Sequence, residues 1–117
     1  MSTSQQYQRM RIYLGEDKRH GDRPLYQAIV RKAHRMGLCG LTVFRGSHGF
    51  GHSTRMHTSE VLFSEDLPLV VEIIDSTEQL MALHDLLRLV EGIGLITLEP
   101  VEVLTPLRGM SGKSPVL

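Results

Sequence analysis

The sequence predicts an α+β domain in which a four-stranded antiparallel sheet carries two helices on one face. Three observations point there. Apolar residues alternate with period two at 10–14 and recur at helical spacing over 25–36, and an extended stretch followed by a helical one returns over 69–90. Only those two stretches have helical spacing, and two helices cover one face of a sheet. The run 69–74 is nonetheless apolar on both parities, Leu69, Val71 and Ile73 on one and Val70 and Ile74 on the other, so its second face also needs a cover.

The elements follow in order. Met10, Ile12 and Leu14 face one way in a first strand, with Arg9 and Arg11 facing the other. Residues 15–21 form a polar loop; Asp22 is the expected N-cap of a first helix with Pro24 in its first turn. Leu25, Ala28, Ile29, Ala33 and Met36 make its inner stripe, Gln27, Arg31, Lys32 and Arg35 face outward, and Gly37 ends it. Leu41 to Arg45 is a second strand. Extended structure resumes near residues 60–63, breaks at 64–68 because Pro68 cannot donate to a ladder, and continues as a strong strand over 69–74. Ser76 with Gln79 is a capping box opening a second helix, 77–90, with the stripe Leu80, Leu83, Leu87 and Val90; Gly92 and Gly94 follow its end. In the last strand, 95–104, the apolar parity switches between Leu98 and Val101, which predicts a bulge at Pro100 or a change of neighbour there. The order strand, helix, strand, strand, helix, strand is the split βαβ pattern, a ferredoxin-like βαββαβ sandwich. With no third helix to cover the second sheet face, the expected cover is another copy of the chain.

Between Gly46 and Ser59 lies a connection holding Gly46, Gly49, Gly51, His48, His52, His57 and Arg55. A compact domain rarely keeps so long a connection unless it binds something or moves. Glycines at this density allow left-handed turns that aim N–H groups at an anion. Arg45 and Arg55 flank them, Phe50 and His52 lie among them, and the earlier polar loop adds Lys18, Arg19 and Arg23. Guanidinium groups and amides together suit a phosphorylated ligand.

Composition sets limits. The chain has 117 residues with Lys+Arg 13 against Asp+Glu 13, enough for one domain and without the basic excess that nucleic-acid binding needs. Cys39 is the sole cysteine, and it reads as a small buried thiol. No apolar run reaches the ~18 residues of a membrane span, and residues 1–6 are a polar tail without the apolar core of a secretion signal. A soluble, cytoplasmic protein is the expectation, with a domain at 7–105 and a flexible C-terminal tail at 106–117. The tail's Gly109-Met110-Ser111-Gly112-Lys113-Ser114 is not a Walker A loop, since Leu107 stands where glycine is required and no helix can follow. Asp66, Glu72 and Asp75 have no recognisable nucleophile or spaced partner, so no enzyme is expected. If Glu72 faces inward it requires Arg9 or Arg11; otherwise it belongs at an edge or a subunit interface.

Residues 15–26, Thr42-Val43-Phe44-Arg45-Gly46, Gly49-Phe50-Gly51-His52 and Asp66-Leu67-Pro68 resemble those of an uncharacterised bacterial and archaeal family related to the PII nitrogen-regulatory proteins. The resemblance spans about residues 10–103. It implies a homotrimeric signalling protein that binds an adenine nucleotide (AMP, ADP, ATP or a cyclic nucleotide) or a similar anion at subunit clefts. The 46–59 connection would be the effector arm, with Gly46, Gly49, Phe50 and Gly51 at its base beside Arg45 and Arg55. PII proteins that are uridylylated carry a tyrosine in the arm; Tyr7, Tyr13 and Tyr26 all lie outside it, so that modification is not expected. Residues 91–94, where PII proteins place a basic phosphate ligand, hold none. Lys18, Arg19 or tail residues of a neighbour would have to compensate. The resemblance also implies a membrane channel or transporter, notably a fluoride exporter, as regulatory target without insertion into the bilayer. Two alternatives stay open. One is a metal-binding protein of the related metal-tolerance type using His48, His52 and His57, whose spacing matches no closed structural site; the other is a small enzyme acting on a phosphorylated metabolite.

Overall fold

A computed structural model describes residues 6–50, 57–58 and 67–105; the segment expected to be extended at 60–63, most of the break after it, and the tail beyond 105 lie outside them. The described elements are β1 (Tyr7–Gly15), β2 (Arg19–His20), β3 (Arg23–Pro24), α1 (Leu25–Arg35), β4 (Leu41–Arg45), β5 (His48–Gly49), β6 (His57–Thr58), β7 (Pro68–Ser76), α2 (Thr77–Leu87) and β8 (Ile93–Val101). The main sheet has the order β4-β7-β1-β8 with every pair antiparallel. This is the α+β arrangement the periodicities predict.

The core forms where the predicted stripes meet. Met10, Ile12 and Leu14 of β1 lie opposite Ile73, Val71 and Leu69 of β7, and all six are buried beneath Leu25, Ile29 and Ala33 of α1 and Leu80, Leu83 and Leu87 of α2. Gly37 takes φ +81, its N–H bonded to His34 O and that of Leu38 to Ala33 O, the paired bonds of a left-handed helix end.

The second helix ends at Leu87 rather than at residue 90 and the last strand spans Ile93–Val101 rather than 95–104; three local features also differ from expectation. Asp22 does not cap α1: Pro24 holds the N-cap position with φ −58 and ψ 139, and Asp22 lies in the turn between β2 and β3. The residue before a proline is biased toward extended backbone, and the Arg19–Pro24 pairing with the Leu25 N–H to Lys18 O bond keeps residues 23–24 extended until the helix starts. Only half of the expected capping box forms. Ser76 Oγ accepts the Gln79 N–H at 3.2 Å, but the Ser76 N–H goes to Asp75 Oδ1 at 2.7 Å instead of to Gln79. In β8 the irregularity is at Gly94: Tyr13 pairs with Leu95 and Leu14 with Ile93, leaving Gly94 as the extra residue, whereas pairing through Pro100 to Val101 is continuous. A Cβ at Gly94 would stand 3.1 Å from Tyr13 O, so the close approach favours glycine. Pro100 is tolerated because β8 is an edge strand, and the odd-parity Val101 lies opposite Tyr7 on the face away from the helices.

That face carries both apolar and charged rows. Phe44, Val70, Tyr13 and Leu95 line up across all four strands, with Phe44 50% and Leu95 57% exposed. One row along, Glu72 accepts a hydrogen bond from Arg11 Nε at 2.9 Å, so the strand carboxylate faces away from the core and is paired. The Glu72 hydrogen bond raises the Arg11 pKa. Arg9 pairs with Glu99 across β1 and β8.

Arg9, first by its hydrogen bond and then by its charge, holds Glu99 below the ordinary carboxylate range. A depressed native pKa contributes stability that is present above the unfolded-state value and lost as pH falls through the native one. Glu99→Gln is therefore expected to lose less of its melting temperature than the parent on going from about pH 6 to about pH 3, a small effect for so exposed a pair. Superimposable acid profiles would remove the pair from the stability account.

Candidate ligand site at the base of the β4–β7 connection

Three chain segments converge where β1 ends, β4 ends and β7 begins, because Gly15 pairs with Pro68 and Arg45 with Leu69. The ladders continue past their last side chains: the Glu16 N–H donates to Leu67 O at 2.8 Å and the Gly46 N–H to Pro68 O at 2.7 Å. Arg45 Nη2 donates to Glu16 Oε2 across the junction, in an ion pair whose acid is mostly buried and whose guanidinium is 52% exposed. The Glu16 hydrogen bond, followed by its charge, raises the Arg45 pKa; Tyr26 of α1 adds a smaller contribution. The site therefore presents a half-exposed guanidinium already held by one carboxylate.

Gly46 and Gly49 serve a purpose other than the left-handed turns expected of them. Among the described residues the positive-φ glycines are Gly21, Gly37 and Gly92. At Gly46 an added Cβ would meet the Pro68 ring at 3.0 Å, and at Gly49 at 3.2 Å. The base of the connection thus lies closely against Pro68, and the Gly46 amide is spent on the Pro68 carbonyl rather than aimed at an anion. Beyond it the chain is not structureless, since His48 pairs with Thr58 and Gly49 with His57 in a short ladder. Phe50 next to it is 68% exposed. Gly51, His52 and Arg55 lie outside the described residues.

The remaining basic residues divide. Lys18 packs against the α2–β8 turn, its Cβ lying 3.4 Å from where a Cβ of Gly92 would stand. Arg19 donates from Nη2 to Asp22 O at 2.7 Å, and Arg23 pairs with His20 across the β2–β3 ladder. Arg45, Gly46 and Gly49 are thus brought together, whereas Lys18 lies against the Gly92 turn and Arg19 and Arg23 belong to a separate hairpin. Glu16 and Pro68 complete the junction, and sequence reasoning placed neither of them there. Among the described residues no group of His, Cys, Asp and Glu is placed to hold a metal ion, and His48 and His57 are not cross-strand partners. No helix among those residues is long and apolar enough to cross a membrane.

Comparison with known proteins adds family and fold. The family model DUF190, described as an uncharacterized ACR, matches residues 7–103. A UPF0166 protein of Aquifex aeolicus is 37% identical over 101 residues, covering 81% of this chain and 90% of its own. A UPF0166 protein of Methanocaldococcus jannaschii is 27% identical over 95 residues, covering 80% and 88%. Among solved structures, CPII of Thiomonas intermedia K12, a nitrogen regulatory PII-like protein bound to ADP, AMP and bicarbonate, superposes with a TM-score of 0.65 at 15% identity, over 84% of this chain and 88% of its own. The same protein bound to ADP and bicarbonate gives 0.63 at 17%, over 84% and 88%. At such identities the likeness is one of fold: this chain has the PII-like form of the ferredoxin-like sandwich.

Proposed function

The chain belongs to the DUF190 family, and we propose that it is a PII-like regulatory protein that acts by binding rather than by turnover. Three copies cover one another's helix-free sheet faces through the Phe44–Val70–Tyr13–Leu95 row. An adenine nucleotide or similar anion enters the subunit cleft, and the 46–59 connection reports its presence to a partner, for which a membrane channel or transporter met from the cytoplasm is the candidate. The binding set is Arg45 and Phe50 at the base, where Gly46 and Gly49 contribute close packing on Pro68 rather than amides, with Gly51, His52 and Arg55 from the same connection and Lys18, Arg19 and Arg23 from the earlier loop.

The observation that carries this reading is the Arg45–Glu16 ion pair at the foot of the connection. A phosphate oxygen competes with Glu16 for the guanidinium, and bidentate phosphate pairing is among the stronger charge-assisted contacts available. Ligand contacts made with one arrangement of Arg45 shift the population of the connection it anchors. CPII, crystallised with ADP and AMP, supports a nucleotide as the first ligand to try.

A thermal-shift panel of AMP, ADP, ATP and cyclic nucleotides tests the proposal. Ligand at a hundredfold over its dissociation constant adds ~2.7 kcal/mol to the folded state. Arg45→Ala is expected to weaken binding about tenfold or more, while Glu16→Gln, which releases Arg45 from its competitor, strengthens it. No shift with any member of the panel, or a Glu16→Gln protein that binds more weakly than the parent, overturns it.

A further inference from the structure

On the helix side of the sheet a groove of about 560 Å³ runs between α1 and the end of α2, with residues of the β2–β3 hairpin at one end. Its rim is cationic. Arg23, Arg31, Lys32 and Arg35 line it, and the acid among the lining residues is Asp22. In a chain whose charges balance 13 to 13 this is a local segregation. No ion pair joins any of the four cations to an acid among the described residues. The floor is apolar, with Ala28 and Val90 half-buried and Leu86 49% exposed.

Helix electrostatics explain only part of this. Lys32 and Arg35 in the last turn of α1 complement its C-terminal dipole. Arg23, however, lies just before the N-cap Pro24, at the end where the dipole disfavours a cation and where the first turn has no acid. Arg31 and Arg35 are one turn apart and repel each other. The fold thus holds unneutralised positive charge around a partly wetted apolar floor.

We propose that this groove docks an acidic amphipathic helix of a partner protein, its apolar side chains on Leu86, Val90 and Ala28 and its carboxylates against Arg31, Lys32 and Arg35. An apolar stripe flanked by carboxylates matches both parts of the groove, as helix-in-groove recognition requires. A small inorganic anion would leave the floor unused. A bilayer presents a flat surface, whereas these residues line a groove between two helices, a shape that a helix fills. The proposal stands apart from the nucleotide reading in the contacts it uses, Arg31, Lys32, Arg35, Ala28, Leu86 and Val90, none of which is in the proposed nucleotide set; of the rim cations Arg23 alone belongs to both.

The test uses the full chain and two labelled amphipathic peptides with leucines at i, i+3, i+4 and i+7, one flanked by glutamates and the other by lysines, read by fluorescence anisotropy. The glutamate peptide is expected to bind and the lysine peptide not to. In the double variant Arg31→Glu, Arg35→Glu the glutamate peptide loses about tenfold or more in affinity and the lysine peptide gains binding, a rescue that an unfolded variant could not give. Leu86→Ser weakens the glutamate peptide with the charges intact. Equal binding of both peptides, unchanged affinity in the double variant, or stronger attachment of the parent to phosphatidylglycerol vesicles than to the glutamate peptide would each overturn the proposal. So would loss of a nucleotide shift in the double variant, since it would place these cations in the nucleotide site.

Discussion

Val70→Asp is expected to convert the proposed trimer into single folded chains. Val70 sits inside the row Phe44–Val70–Tyr13–Leu95 on the sheet face that neither helix covers. In one isolated chain it is only half-buried, so a carboxylate there costs little and the domain persists. Between copies the same carboxylate would be desolvated without a partner, at a cost of several kcal/mol for each buried charge. In a closed trimer that cost recurs in every subunit, which removes the assembly at micromolar concentration. Sedimentation velocity or light scattering on parent and variant reads the mass directly. A parent that is already monomeric, or a variant that keeps the parent's mass, sinks the shared-face interpretation and with it the subunit clefts of the proposed function.

The same face explains what could and could not be read from the sequence. Period-two burial made Met10, Ile12 and Leu14 legible, because one face of β1 packs on helices and the other does not. The parity change in β8 was misleading for a related reason: Val101 is apolar on the outer face, where the neighbouring strands are apolar too, so hydropathy alone could not tell a bulge from a change of environment. The bulge fell at Gly94, set by the backbone approach to Tyr13. At the candidate site, Arg45 was visible as a cation flanking glycines. Its partner Glu16 stands 29 positions earlier, and only the pairing of Gly15 with Pro68 brings the two together. The glycines themselves were conspicuous, but their reason, the Pro68 ring against Gly46 and Gly49, is a contact between segments that no local pattern encodes.

Asp75→Ala is expected to remove about 3 kcal/mol or more of stability, from a total of roughly 5–15 for a domain of this kind. The side chain is 2% exposed and works as a staple: Oδ2 accepts the Cys39 N–H at 2.8 Å and Oδ1 accepts the Ser76 N–H at 2.7 Å. One bond fixes the turn between α1 and β4, and the other holds the first residue before α2. Alanine leaves two donors in need of partners, each costing about 1–3 kcal/mol where water cannot reach it. Asp75→Asn keeps the shape and one acceptor oxygen, so it should lose about half as much. Urea denaturation of parent, Asn and Ala proteins gives the order directly, and an alanine variant within about 1 kcal/mol of the parent would rule out the staple. The consequence reaches the candidate site, because among the described residues β4 pairs only with β7, and its far end presents Arg45. With the Cys39 tether gone, amide exchange over Leu41–Arg45 should accelerate more than exchange in β1, which has a strand on either side, and the thermal shift expected of the proposed nucleotide should fall along with it.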